Sequence, residues 1–258
     1  MAQVQDATLQ SSKAASPFQQ ITIQTQYELL LTLRRGENVL VTLIVPVMLL
    51  IFFTSLNIAP SVNGSTINFL LPGIVAVAIM AAGMVNLGIA TAYERYYGVL
   101  KRLGSSPLSR SGLIIAKVCS VLLLEVLQVI LLVGIAIILY HWQPTGSLAL
   151  TLLTLALGTI TFAGLGLAMA GALRAELTLA GANALFLVFV FFGGGILPLS
   201  RLPGPLAGFA ELLPAAALTR ALQASMINGG NPPVFELSVL AVWAVVVLLV
   251  AIRTFKWE

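Results

Sequence analysis

Six long segments of almost uninterrupted apolar residues divide this chain and limit the folds it can adopt. A helix needs about 20 mostly apolar residues to cross a bilayer. The segments that approach or exceed this length are residues 39–56, 67–92, 113–140, 148–173, 177–199 and 235–252. The pattern predicts an all-α integral membrane protein with six transmembrane helices.

The overall composition agrees with a membrane location. Hydrophobic residues make up 59% of the 258 residues and charged residues only 9%, whereas soluble domains average roughly 45–50% and about 25%. A soluble fold of this length could not cover so much apolar surface, because its exterior still requires polar side chains. We therefore expect lipid to surround most of the chain. The basic excess is explained by membrane topology, and no nucleic-acid partner is expected.

The positions of the basic residues predict an orientation. If the N-terminus is placed in the cytoplasm, only Arg201 and Arg220 of the 13 Lys and Arg residues fall on the outer side. Cytoplasmic loops of membrane proteins carry an excess of Lys and Arg. We therefore expect a multi-pass protein of the inner (plasma) membrane with both termini in the cytoplasm.

Two segments precede the first predicted span. Residues 1–20 are polar and are expected to form a disordered cytoplasmic tail. Residues 21–36 place Glu28 and Thr32 on one helical stripe, with Tyr27 and Leu30 on another face. This pattern predicts an amphipathic helix that lies at the membrane surface. The alternative is that the segment is simply the cytoplasmic start of the first span.

The segment between the fifth and sixth spans, residues 193–233, is half apolar and interrupted by prolines. It cannot form one continuous spanning helix, so we expect short helices at the outer face. It begins with three consecutive glycines, Gly193, Gly194 and Gly195, which would weaken a helix and permit a hinge or gate.

The small set of polar residues argues against several kinds of catalytic and binding site. A phosphate-binding loop of the G-x-x-x-x-G-K-[ST] kind requires a lysine directly after a glycine, and this sequence has no such pair. The chain is therefore not expected to bind or hydrolyse ATP through a loop of this kind. The single histidine, His141, has no Cys or carboxylate cluster near it in the sequence. We expect no catalytic residue, no metal site and no cofactor bound by this chain, which is therefore not an enzyme.

Two polar residues lie deep in the third predicted span. Glu125 is followed one turn later by Gln128 on the same helical face. Intramembrane carboxylates often mark a transport path, and single buried polar residues also join helices to one another. Both interpretations, a translocation path and a helix interface, remain open from the sequence.

Charged residues crowd into YERYYGVLKRLGSSPLSR, residues 93–110, between the second and third spans. The spacing predicts a short cytoplasmic helix that begins near Glu94 and ends before Pro107. The Glu94–Arg95 start, Gly98 and the basic residues before Pro107 resemble the matching loop of ATP-binding cassette (ABC) transporter permeases of the type-2 exporter class. In that family this loop is a coupling helix that docks on the ATPase subunit.

The resemblance covers nearly the whole chain beyond the tail, and it includes the amphipathic segment and the proline-marked outer helices. It implies a coupling role for six residues. These are Glu94, Arg95, Tyr97, Gly98, Lys101 and Arg102. It also implies a separate ABC ATPase subunit that binds ATP and Mg²⁺, a second permease copy or a homologous permease, and contact with membrane lipids.

The function implied by the resemblance is that of an exporter permease subunit. It would form half of the translocation path for a hydrophobic or amphiphilic compound, such as a drug-like molecule or a lipid. The alternatives are a permease for a polysaccharide or glycolipid, and a membrane scaffold that binds partners without transport.

Overall fold

The computed structural model describes residues 16–34, 36–56, 59–62, 64–106, 108–196, 198–199, 203–227 and 232–255. Within these ranges every regular element is helical, apart from one isolated bridge between Val62 and Ser65. The predicted all-α class is therefore confirmed. Most of the predicted tail, together with Pro107 and Arg201, lies outside the described residues.

The described residues form eleven α-helices and one π-helical segment. The helices are α1 (Pro17–Arg34), α2 (Gly36–Leu56), α3 (Thr66–Met80), α4 (Leu87–Tyr96), α5 (Val99–Leu103), α6 (Arg110–Tyr140), α7 (Leu148–Ala172), α8 (Ala175–Phe192), α9 (Gly204–Glu211), α10 (Pro214–Ile227) and α11 (Val234–Thr254). The π-helical segment Ala81–Asn86 joins α3 and α4, so that Thr66–Tyr96 is one continuous helix.

Five helices in the described part of the chain are long and apolar enough to cross a membrane. They are Thr66–Tyr96, Arg110–Tyr140, Leu148–Ala172, Ala175–Phe192 and Val234–Thr254. They correspond to the second to sixth segments predicted from the sequence. The first predicted segment also lies in a helix, α2, but the apolar stretch described there, Thr42–Leu56, is shorter than the other five. The chain is therefore a multi-pass helical membrane protein.

Several helix boundaries differ from the predicted ones, and two of these differences have a local cause. Helix α8 ends at Phe192 and not at residue 199, because Gly194 adopts a left-handed conformation with φ of 72° that a helix cannot contain. Helix α1 begins at Pro17, inside the segment predicted to be a tail. Proline is favoured in the first helical turn, where no backbone N–H is needed, so this start has a local cause.

The continuous helix Thr66–Tyr96 lies at the centre of the bundle. In its most apolar stretch 83% of the residues are buried, against 22% in the corresponding stretches of α8 and α11. It packs closely on α7 at paired glycines: a Cβ atom on Gly88 would lie 2.9 Å from the Cα of Gly166. Small residues allow such backbone contact between membrane helices. This packing fixes α4 and the turn that follows it.

Candidate functional site

The turn between α4 and α5 is formed around Gly98. Helix α4 ends at Tyr96, Gly98 has φ of 72° and ψ of 15°, and α5 begins at Val99. This left-handed conformation is accessible to glycine at little cost and is unfavourable for residues with a Cβ atom. The structure thus differs from the single short helix predicted to begin near Glu94 and end before Pro107: the spanning helix continues through Glu94, and a sharp turn separates it from α5.

The turn presents aromatic and basic side chains. Tyr96 and Tyr97 are 65% and 69% exposed, and Lys101 and Arg102 on α5 are also exposed. Leu100 is only 1% exposed and anchors α5 in an apolar cluster with residues of α6. A buried anchor beneath exposed aromatic and basic groups is an arrangement suited to contact with another protein.

Two of the predicted coupling residues do not lie on this exposed surface. The Arg95 guanidinium donates hydrogen bonds to the carbonyl oxygen of Gly171 at 2.7 Å and to that of Leu173. These carbonyls belong to the end of α7, where a cation is favourable. Glu94 points to Lys117. The structure therefore groups Tyr97, Gly98, Lys101 and Arg102 on the turn, while Glu94 and Arg95 attach α4 to neighbouring helices.

Lys117, on α6, is the centre of a buried ion triad. Its Nζ lies 3.0 Å from a carboxylate oxygen of Glu28 on α1 and 2.7 Å from Oε2 of Glu94 on α4. The side chains of Lys117, Glu28 and Glu94 are 1%, 11% and 16% exposed. The triad joins three helices that are distant in sequence, and removal of its single cation would leave two nearly buried carboxylates without a positive charge beside them among the described residues.

The same contacts explain the orientation of α1. Its polar residues Thr25 and Glu28 are buried, whereas the apolar side chains of Ile23, Tyr27 and Leu30 are exposed. An amphipathic helix that turns its apolar face outward beside membrane helices is arranged for contact with lipid.

A cavity of about 610 Å³ lies beside the triad. Its walls come from α1, α2, α4 and α6, the π-helical segment, and both sides of the Gly98 turn. The lining residues are Glu28, Leu31, Thr32, Thr42, Leu43, Ala82, Asn86, Leu87, Ile89, Ala90, Tyr93, Glu94, Tyr97, Val99, Lys117, Ser120, Val121, Leu124 and Gln128. Drug-sized ligands occupy cavities of about 300–1,000 Å³ with mainly apolar walls and a few polar groups. The volume of this cavity lies in that range, and its wall combines apolar residues with a few polar ones. It is the candidate functional site.

The two polar residues of the third predicted span contact different neighbours. Gln128 lines the cavity, and its Nε2 donates to the backbone carbonyl of Thr42 at 2.6 Å. Glu125 does not line the cavity in the described structure. Its Oε2 accepts a hydrogen bond from the Thr159 hydroxyl on α7, and its Oε1 has no partner among the described residues. Both side chains therefore join α6 to a neighbouring helix, and a role in a translocation path stays a prediction.

The glycine run after α8 contacts the central helix. A Cβ atom on Gly73, in α3, would lie only 2.1 Å from the carbonyl oxygen of Gly195. Backbone therefore meets backbone at this point, and close packing accounts for Gly195 directly. A hinge or gate at Gly193, Gly194 and Gly195 remains a prediction.

Substitution of Gly73 by alanine is expected to reduce thermal stability, at a cost of about 1–3 kcal/mol, because the backbone near Gly195 would have to move. Gly134 provides the matched control, since a Cβ atom there would meet nothing within 4 Å. Gly134→Ala is expected to be neutral or to stabilise its helix by up to about 1 kcal/mol. Thermal unfolding of both purified variants measures the difference, and equal stabilities would disprove the close contact.

Comparison with known proteins identifies the family. The ABC-2 type transporter family model matches residues 19–227. Two curated relatives, each described as a probable multidrug ABC transporter permease YbhS, come from Escherichia coli strain K12 and Escherichia coli O157:H7. Each is 23% identical over 191 residues, which cover 73% of this chain and 51% of the relative, so the chain spans about half the length of the curated relatives it matches. Because the family match extends over most of its length, the chain belongs to the ABC-2 type transporter family.

Proposed function

We propose that this chain is the permease subunit of an ATP-driven exporter for a hydrophobic or amphiphilic compound, such as a drug-like molecule or a lipid. Family membership supports a role in transport, and the curated relatives are described as probable multidrug permeases. In this proposal α2 is the first of six spans, both termini are in the cytoplasm, and α9 and α10 lie towards the outer face of the inner membrane.

The observation that carries the proposal is that the Gly98 turn forms part of the cavity wall. Tyr97 and Val99 flank Gly98, both line the cavity, and they are 69% and 42% exposed. A protein that pressed on this turn would therefore displace two cavity residues directly. Such a connection between a docking surface and a ligand site is what an ATP-driven permease requires.

The energy would come from a separate subunit. The sequence contains no Gly-Lys pair for a phosphate-binding loop, so an ABC ATPase would bind ATP and Mg²⁺ and dock on the turn through Lys101, Arg102 and the exposed tyrosines. Arg95 links α4 to the end of α7, so that movement of the turn would be passed to the bundle as a rigid-body tilt.

A second permease would complete the translocation path. The sides of α2 and α6 that point away from the helix bundle carry large exposed apolar side chains, including Met48, Phe52, Leu127 and Ile130. These faces would contact lipid or a second copy of the chain, or a homologous permease, since either environment covers apolar surface.

The proposal is tested by ATP hydrolysis in a reconstituted complex. The chain and its ABC ATPase would be purified together and placed in lipid nanodiscs. We expect vanadate-sensitive hydrolysis that increases when an amphiphilic compound is added. A complex whose hydrolysis does not respond to any amphiphile or glycolipid would support the scaffold alternative, and a response to a glycolipid alone would favour the polysaccharide or glycolipid alternative.

A further inference from the structure

The cavity beside Gly98 contains an uneven set of charges. Among its lining residues in the described part of the chain, the ionisable acidic and basic groups are Glu28, Glu94 and Lys117. One ammonium group faces two carboxylates, so the site carries one excess negative charge when all three are ionised. A buried excess charge is unfavourable in a region of low dielectric constant unless an opposite charge approaches it.

The two carboxylates differ in how many hydrogen bonds they accept from the described residues. Glu28 is fully engaged, because it accepts a hydrogen bond from Gln24 Nε2 at 2.9 Å in addition to its contact with Lys117. Glu94 accepts from Lys117 through Oε2 only, and no other donor among the described residues reaches it. As far as the described residues go, Oε1 of Glu94 is therefore a carboxylate acceptor without a hydrogen-bond donor in this cavity.

Two aromatic rings line the same cavity as this carboxylate. Tyr93 and Tyr97, on either side of Glu94 along the chain, are stacked with ring centroids 6.1 Å apart, and both line the cavity. The faces of aromatic rings attract cations that lie within about 6 Å of the ring centre. Carboxylate and rings together form a site that favours positive charge.

Other parts of the cavity wall are apolar. They are formed mainly by Leu31, Leu43, Leu87, Ile89, Val121 and Leu124. These side chains can contact hydrocarbon or aromatic parts of a ligand, while the polar end near Glu94 contacts its charged group. A fully polar cation would leave this surface without a partner.

We propose that this cavity binds amphipathic compounds that carry one positive charge, with the charge between Glu94 and the rings of Tyr93 and Tyr97. The inference rests on the proposed transport function and narrows its substrate class. Anionic amphiphiles of the same shape are disfavoured, because both their charge and Glu94 would be held in the same weakly solvated space.

The test uses two probes of nearly the same size and shape, the cation tetraphenylphosphonium and the anion tetraphenylborate. Binding of each radiolabelled probe to the full chain in zwitterionic nanodiscs would be measured by equilibrium dialysis, with empty nanodiscs subtracted. We expect saturable binding of the cation and at least about tenfold weaker binding of the anion. Equal saturable affinities, or saturable binding of the anion alone, would overturn the proposal.

Substitutions of single carboxylates test whether the charge of Glu94 attracts the cation. Glu94→Gln is expected to weaken binding of the cation about tenfold, since Lys117 then balances Glu28, whereas Glu94→Asp is expected to retain most of the binding. Glu176→Gln is the matched control, because Glu176 is exposed at the start of α8 and does not line the cavity. Unchanged binding in Glu94→Gln would overturn the assignment. If Glu94→Gln does not fold, the comparison of the two probes on the unmodified chain still decides whether the cavity prefers the cation.

Failure of this inference can be separated from failure of the proposed function. Binding is measured on the chain alone, whereas transport function is measured as vanadate-sensitive hydrolysis by the complex. Hydrolysis that responds only to neutral or anionic amphiphiles, without cation binding, would disprove the charge selectivity and leave the permease function intact. Cation binding in a complex without any responsive hydrolysis would contradict the permease function.

Discussion

Replacement of Lys117 by methionine is expected to lower the free energy of unfolding by about 3–5 kcal/mol. Lys117 is 1% exposed and is the only cation within hydrogen-bonding distance of Glu28 and Glu94 in the described structure. Methionine has a similar volume, so the main change is the loss of the charge. Two nearly buried carboxylates would then repel each other, and α1 would lose its principal polar contact with α6.

Thermal unfolding of the purified protein in one detergent measures this effect. Lys101→Met is the matched control, since Lys101 is exposed and an exposed lysine contributes at most about 1 kcal/mol through ion pairs. The triple variant Glu28→Gln, Glu94→Gln and Lys117→Met removes every charge of the triad, and we expect it to be more stable than Lys117→Met alone. A Lys117→Met variant as stable as the unmodified chain would contradict the triad.

If the proposed ATPase subunit docks on α5, reversal of charge at Lys101 and Arg102 is expected to weaken its association at least about tenfold. Both residues are exposed on α5, next to the tyrosines of the turn. Arg95 is left unchanged, because its hydrogen bonds to the end of α7 give it a structural role. Its replacement would affect folding as well as docking, so a loss of ATPase binding could not be assigned to either.

Co-purification of a tagged ATPase with each variant measures the association. The matched control is Arg174→Glu with Arg253→Glu, which reverses two exposed basic residues outside the turn. We expect normal membrane insertion of both double variants and normal ATPase recovery with the control only. Equal losses in both would show that overall positive charge, and not the turn, attracts the ATPase; no loss in either would disprove docking on α5.

The spanning helices could be predicted because the bilayer sets their length and composition. That constraint is local, so residues 113–140 and 148–173 were located within a few residues of α6 and α7. The end of α8 was misplaced because residues 193–199 remain partly apolar, whereas the left-handed conformation of Gly194 ends the helix before them. Hydropathy does not report that conformation.

The candidate site was less predictable, because its polar contacts join residues far apart in sequence. Glu28 and Lys117 are 89 residues apart, and Arg95 reaches carbonyls 76 and 78 residues further along the chain. In the sequence Lys117 counted only as one more basic residue for topology. A lysine inside a long apolar run was a signal that a carboxylate partner would be needed, since a lone buried ammonium is costly. Nothing in the sequence indicated which carboxylates would supply it.

The most direct measurement of the central claim is ATP-dependent uptake of a fluorescent amphiphilic cation into inside-out membrane vesicles. Vesicles that contain this chain and its ABC ATPase should accumulate the dye when ATP and Mg²⁺ are added, and vanadate should stop the accumulation. Vesicles with the ATPase alone, or with the Lys101→Glu, Arg102→Glu variant, should not accumulate it. Equal accumulation with and without this chain would contradict its role as the permease.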